Sequence, residues 1–160
     1  MNDIRNVLVT GAGGLIGGIV RRSLAGAYTL SGLDKAPVSG FDSLVADIAQ
    51  LPAILPAFEG VDAVVHLAAD AGNDAPWESV LPNNILGTYN VFEAARIGGV
   101  KRVVFASSNH ATGMYERDHP YSAIVAGRYE GLSPGAYRMV DHRMPIRPDG
   151  YYGVAKQYGE

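Results

Sequence analysis

NVLVTGAGGLIG, residues 6–17, is the stretch whose reading decides the fold. Residues 6–10 form a short apolar, β-branched run that reads as a buried strand. Glycines interrupt it, and residues 15–25 resume as a helix with Leu15, Ile16, Val20 and Leu24 spaced for one face. Gly11 permits a tight turn, Gly14 lets a ligand approach the backbone, and Gly17 lets the helix pack closely on the strand. The spacing is G-x-x-G-x-x-G; the alternative G-x-G-x-x-G would place Ile16 at its last position. A helix opening on free backbone N–H groups after such a turn suits a pyrophosphate.

Outward from this turn, strand and helix signals alternate. Residues 28–34 read as a second strand ending at Asp34, about 20 residues beyond the glycines, where an acidic residue meets adenosine ribose hydroxyls. A carboxylate there accepts both hydroxyls and repels a 2′-phosphate, which favours NAD over NADP; Lys35 beside it could partly neutralise such a phosphate. Residues 43–46 read as a third strand closed by Asp47. Residues 51–58 read as a helix with Pro52 in its first turn, and residues 63–66 as a fourth strand. Residues 80–97 read as a long amphipathic helix stopped by Gly98 and Gly99, residues 103–106 as a fifth strand, and Tyr151 as the start of another helix. The alternation predicts one α/β domain over residues 1–160, a parallel sheet with helices on both faces. Residues 114–147 break the rhythm: they are rich in Tyr, Gly, Pro, Arg and His without a period, and read as a long functional or mobile loop.

YGVAK, residues 152–156, places Tyr152 one helical turn before Lys156. A phenol titrates near pH 10, and an ammonium beside it favours the phenolate, so the pair reads as a general base. The chain has no Cys, which excludes disulfides, thiolate metal sites and a Cys nucleophile. Oxidising a free aldehyde ordinarily uses such a nucleophile; a cyclic hemiacetal needs only proton and hydride removal. Four His without an H-x-x-x-H spacing argue against a metal site. His66 at a strand end reads as a packing residue. A net charge of -3 gives no reason to expect nucleic acid. No signal-peptide pattern and no membrane-length apolar run is visible, so a cytoplasmic protein acting on a small molecule is expected.

TGAGGLIG, Asp34, the ADI ending at Ile48, HLAA at residues 66–69, NNILGTYNVFEAAR from Asn83, FASSNH from Phe105 and YGVAKQYGE resemble, in order and spacing, the extended short-chain dehydrogenase/reductase family. The resemblance covers the chain outside residues 114–147. It implies a Rossmann-like doubly wound sheet with bound NAD, and SSNH points to sugar dehydrogenases of the uronate or hexose-phosphate type, which oxidise the anomeric carbon of a cyclic sugar to a lactone. It implies Tyr152 as the base, with Lys156 supporting it and binding the nicotinamide ribose. Ser108 would hold the reacting oxygen, with Ser107 as the alternative at the cofactor, and Asn109 and His110 would contact sugar hydroxyls. It further implies cofactor contacts from Leu15, Ile16, Asp47, Ile48, Leu67, Ala68, Ala69 and Asn84, the last equally readable as a helix-face amide. Two departures stand out. A substrate-contacting Ser of uronate enzymes is missing near Ala71, and the connection from Ser108 to Tyr152 is longer by an insertion around residues 114–144. The family pattern also implies further strands and a substrate cap beyond Glu160. Without them the sheet has an open edge, and self-association into a homo-oligomer is expected. The competing readings are a nucleotide-sugar epimerase or dehydratase of the same family, and a non-catalytic NAD-binding module.

Overall fold

A computed structural model of the chain describes residues 4–72 and 74–160. Strand β1 (Asn6–Thr10) leads through the glycine turn into α1 (Leu15–Leu24) and back to β2 (Thr29–Asp34). Then come β3 (Ser43–Val45), α2 (Leu51–Ile54) with a 3₁₀ turn at Leu55–Phe58, and β4 (Ala63–His66). A continuous helical rod follows: α3 (Trp77–Val80), a π-helical segment (Leu81–Leu86) and α4 (Gly87–Ile97). Strand β5 (Arg102–Phe105) precedes 3₁₀ turns at Asn109–Ala111 and Gly113–Arg117, α5 (Tyr121–Val125) and α6 (Tyr151–Tyr158).

The five strands are parallel in the order β3-β2-β1-β4-β5. The order reverses direction at β1, so right-handed crossovers put α1 on one face and α2 and α4 on the other. Register confirms the division. Leu8 pairs with Val64 and Thr10 with Leu33, and on that face Leu8, Leu33 and Val64 pack with Ile54, Phe58, Val91 and Ala94 into one buried cluster. Val7 and Val9 point to the α1 face and are buried as well. A switch point of this kind opens a crevice at the carboxyl ends of the neighbouring strands. No helix among the described residues is long and apolar enough to cross a membrane.

Two segments differ from the sequence expectation. The helix expected over residues 80–97 begins earlier, at Trp77, and is wound wide in its middle, where the Gly87 N–H donates to the Pro82 carbonyl five residues back. Proline has no N–H to give the helix ladder. Residues 114–147, expected as an irregular loop, contain α5 and a 3₁₀ turn. Aromatic packing ties them together: Tyr115 stacks edge-on with Tyr121, and Tyr121 with Tyr137. Arg147 lies over the Tyr115 ring at 4.6 Å and also pairs with Asp118.

Candidate active site

The glycine turn is shaped by contacts that leave no room for side chains. Gly11 has φ +69, and a Cβ there would lie 2.8 Å from the Ala68 nitrogen. At Gly17 it would lie 2.3 Å from the Gly11 carbonyl oxygen. Gly14 is the N-cap of α1 in extended conformation and supplies no side-chain cap. The first-turn amides of Leu15, Ile16 and Gly17 therefore have no carbonyl of their own helix to donate to, and the helix dipole makes this end favourable for negative charge.

Asp34 closes β2 at the lip of this turn. Its Oδ2 accepts from the Gly13 N–H at 2.9 Å and its Oδ1 from the Ala36 N–H at 3.1 Å. These two bonds fix the carboxylate's plane and leave lone pairs on both oxygens. A cleft of about 670 Å³ opens here, lined by Gly11, Gly14, Leu15, Ile16 and Gly17 from the turn, by Asp34, by Asp47 and Ile48 after β3, and by Leu67, Ala68 and Ala69 after β4. These eleven of the residues expected at the cofactor meet around one cavity, whereas Asn84, Ser107, Tyr152 and Lys156 are not in its lining. Gly13, Lys35, Ala46 and Asn83 line it too; their only sequence signal is adjacency to the motif residues.

Each wall of the cleft is anchored from behind. Asn90 donates to the Ile48 carbonyl at 2.8 Å, and α4 crosses Ile48 at Gly87, where a Cβ would lie 2.5 Å from its Cδ1. The wall after β4 is held by Thr10, whose Oγ1 accepts from the Leu67 and Ala68 N–H groups, both at 3.2 Å. With its lone pairs so used, the Thr10 hydroxyl donates to His66 Nδ1 at 2.7 Å, and His66 Nε2 carries its proton toward Thr88 Oγ1 at 3.3 Å. His66 is fully buried. Burial first, and the Lys156 charge second, push its pKa down from 6.5 to about 3, so it is neutral.

Asn84 is placed differently from the cofactor contact expected of it. It is buried with its Nδ2 donating to the Asp70 carbonyl at 2.9 Å and its Oδ1 accepting the Asp70 N–H at 2.7 Å. Both ends of the amide clamp the Asp70 loop, and the neighbouring Asn83 faces the cleft.

A second cluster lies one strand further along, at the carboxyl end of β5. Ser108 caps the Asn109–Ala111 turn by accepting the His110 N–H at 3.2 Å. Helix α6 is pressed onto this turn through glycine: a Cβ on Gly153 would lie 2.2 Å from the His110 carbonyl oxygen, and one on Gly159 would meet the Phe105 ring at 2.4 Å. The approach brings Tyr152 edge-on to the His110 ring at 5.9 Å. Lys156 is buried beneath, its Nζ donating to the Ala106 carbonyl at 2.8 Å, over the Phe105 ring at 4.9 Å and 5.6 Å from the Tyr152 ring centre. Burial lowers its pKa. Ser108, Asn109, His110, Tyr152 and Lys156 are therefore brought together, while the Ser107 hydroxyl donates to the Glu160 carboxylate. One member was missed in the sequence: Asp149, which receives His110 Nδ1 at 2.7 Å. Its signal was faint, an acidic residue just ahead of a helix and far from its partner in the chain. Trp77 packs at 5.5 Å against Tyr151 of α6. No group of three or more potential metal ligands occurs among the described residues.

Comparison with known proteins places this geometry among relatives. The NAD dependent epimerase/dehydratase family matches over residues 7–160. L-arabinose 1-dehydrogenase (NAD(P)(+)) of Haloferax volcanii is 42% identical over 154 residues, covering 96% of this chain and 58% of that protein. NAD-dependent glucose-6-phosphate dehydrogenase of the same organism is 40% identical, with 96% and 60% covered. A structure of uronate dehydrogenase from Agrobacterium tumefaciens, a mutant complexed with NAD, superposes with a TM-score of 0.77 at 32% identity, covering 98% of this chain and 54% of that one. The chain spans between half and two thirds of the length of these relatives.

Proposed function

This chain belongs to the NAD dependent epimerase/dehydratase family, and from that premise we propose that it carries the cofactor-binding and catalytic core of an NAD-dependent sugar dehydrogenase, which oxidises the anomeric hydroxyl of a cyclic sugar to a lactone. The observation that carries the reading is the seating of α6 on the turn after β5, which sets Tyr152 against His110 with Lys156 beneath it.

The residues fit a nicotinamide dinucleotide. The turn excludes side chains at Gly11 and Gly17, and the uncapped amides of Leu15, Ile16 and Gly17 suit its pyrophosphate. Asp34 is oriented by two backbone N–H groups with acceptor capacity to spare for two ribose hydroxyls. A 2′-phosphate would meet that carboxylate, so NAD is preferred over NADP. When bound, the nicotinamide supplies the acceptor for a hydride.

In this reading Ser108 and Tyr152 hold the anomeric oxygen. The Tyr152 phenolate takes the proton from that oxygen, the C1–H bond breaks with its electron pair leaving as hydride, and the C1–O bond becomes a carbonyl. The ring stays closed, so the product is a lactone and no covalent adduct is needed. The Lys156 ammonium, fixed by the Ala106 carbonyl, stabilises the phenolate electrostatically and would hold the nicotinamide ribose. Asn109 and His110 meet the other hydroxyls and set specificity among uronates, aldoses and hexose phosphates.

The test is cofactor reduction across a panel of uronates, pentoses, hexoses and hexose phosphates. The reading expects one class to give reduced cofactor in many turnovers per enzyme. An epimerase or dehydratase would convert a nucleotide sugar with no net reduced cofactor, and that result would replace the reading.

A further inference from the structure

We propose that Asp149 is a positioning residue for the sugar-binding side of the site: it fixes His110 with its proton on Nδ1, leaving Nε2 to meet a hydroxyl of the substrate. The inference rests on the sugar-dehydrogenase reading above only for the identity of what Nε2 meets.

Three observations carry it. His110 Nδ1 lies 2.7 Å from Asp149 Oδ2, and a ring nitrogen facing a carboxylate is the one that holds the hydrogen. The carboxylate cannot drift: it fills the notch left by Gly113, where a Cβ would lie 2.1 Å from Oδ2, and its Oδ1 is buried without a hydrogen-bond partner among the described residues. Leaving that oxygen unpaired carries a cost, and the short bond made by Oδ2 offsets it. Third, the backbones of the two segments are laced together. The Asp149 N–H donates to the His110 carbonyl at 3.3 Å, the Arg147 N–H to the Ala111 carbonyl at 2.9 Å, and the Met114 N–H to the Arg147 carbonyl at 3.0 Å.

The His110 ring is thereby held from one side by Asp149 while it stands edge-on to Tyr152 at 5.9 Å and 71°. One carboxylate just ahead of α6 thus sets the imidazole beside the general base and spans the two segments that form the site. Deleting it frees ring rotation and allows the proton to move to Nε2, which turns the acceptor facing the substrate into a donor.

Two measurements test this on the protein as it is naturally expressed. The first needs no substrate: long-range ¹H–¹⁵N correlations of the imidazoles, with His110 identified by the signal lost in His110→Ala. The proposal expects the Nδ1–H pattern in the parent, reverting to the Nε2–H or an averaged pattern in Asp149→Ala; an Nε2–H or averaged pattern in the parent overturns it. The second is a double-mutant cycle on the sugar KM. Asp149→Ala is expected to raise KM about tenfold or more with NAD affinity unchanged. Asp149→Asn, which keeps an acceptor for Nδ1–H, recovers most of that loss. In the His110→Ala background Asp149→Ala then has no further effect. A cost of Asp149→Ala that persists undiminished without His110 marks a structural role and refutes the proposal. Should no sugar be turned over by the parent, the sugar reading falls while the imidazole spectra still decide the role of Asp149.

Discussion

At the scale of residues, Tyr152 and Asp34 have separable tasks in the proposed mechanism. The Tyr152 hydroxyl is proposed to handle a proton and Tyr152 is not among the residues lining the cleft, so Tyr152→Phe is expected to cut kcat at least about 100-fold while NAD affinity, read by fluorescence titration, stays within about twofold. Asp34 is bonded to the turn itself. Asp34→Ala is expected to weaken NAD binding about tenfold and narrow the preference over NADP, since a charge-assisted bond to a ribose hydroxyl contributes about 1.5–3 kcal/mol; equal titrations of parent and variant would refute that role. His66 gives a pH signature whose sign follows from its burial. Its folded pKa is lowered from 6.5 to about 3, so the neutral form belongs to the fold and the proton is taken up on unfolding. Its contribution is complete above pH 6.5 and is lost as pH falls toward 3, by about 1.4 kcal/mol per pH unit. Denaturant midpoints across this window should fall in the parent and flatten in His66→Gln. Asp62 adds acid sensitivity at the lower end, because the Asn6 N–H, Lys101 and the Arg5 N–H hold its carboxyl far below the usual range.

At the scale of elements, legibility tracked the range of the interaction. Strand β1, the glycine turn and Asp34 were readable because apolar run, turn chemistry and acidic residue all lie within one βαβ unit. Tyr152 and Lys156 were readable because one helical turn joins them. The π-helical segment was not: Pro82 signals a disturbed helix, and only the packing of Gly87 on Ile48 and the clamp of Asn84 on Asp70 give that disturbance a purpose. Helix α5 was not readable either, since five residues span too few turns to show a period, and its support is a chain of Tyr rings from distant positions. Asp149 escaped for the same reason, as its partner His110 is remote in sequence. The seating of α6 supplies a prediction at this scale. In Gly153→Ala the new Cβ would lie 2.2 Å from a backbone oxygen that cannot rotate away, so helix and turn must separate. The expected result is a stability loss of about 1–3 kcal/mol by denaturant titration and turnover reduced more than NAD binding. Unchanged turnover would show that the contact does not set the site.

At the scale of the whole molecule, the sheet is covered by α2 and α4 on one face and by α1 over β1 on the other, where the edge strand β5 is left partly bare. Leu8, Leu33 and Val64 lie under α2 and α4, whereas Val104 on the edge strand β5, paired with Val65, is 52% exposed, and Ile16 and Ile19 of α1 are exposed beside that face. An apolar face next to an open strand edge favours association. Residues 1–160 on their own are therefore expected to sediment as larger species with rising concentration, and Val104→Lys to reduce that; a concentration-independent monomer would contradict it. The cleft at the glycine turn, by contrast, is walled on each side by elements of this chain, and the proposed catalytic cluster is assembled by two contacts of one helix. That assembly underlies the proposed removal of a proton and a hydride from the anomeric centre of a closed sugar ring. The most direct measurement follows a C1-deuterated sugar, drawn from the uronate, aldose and hexose-phosphate classes, into the reduced cofactor. The account predicts that one class yields cofactor carrying one deuterium, with a lactone as the first product and neither formed by Tyr152→Phe. Reduced cofactor without the label, or no reduced cofactor from any class by a protein that binds NAD, would contradict it.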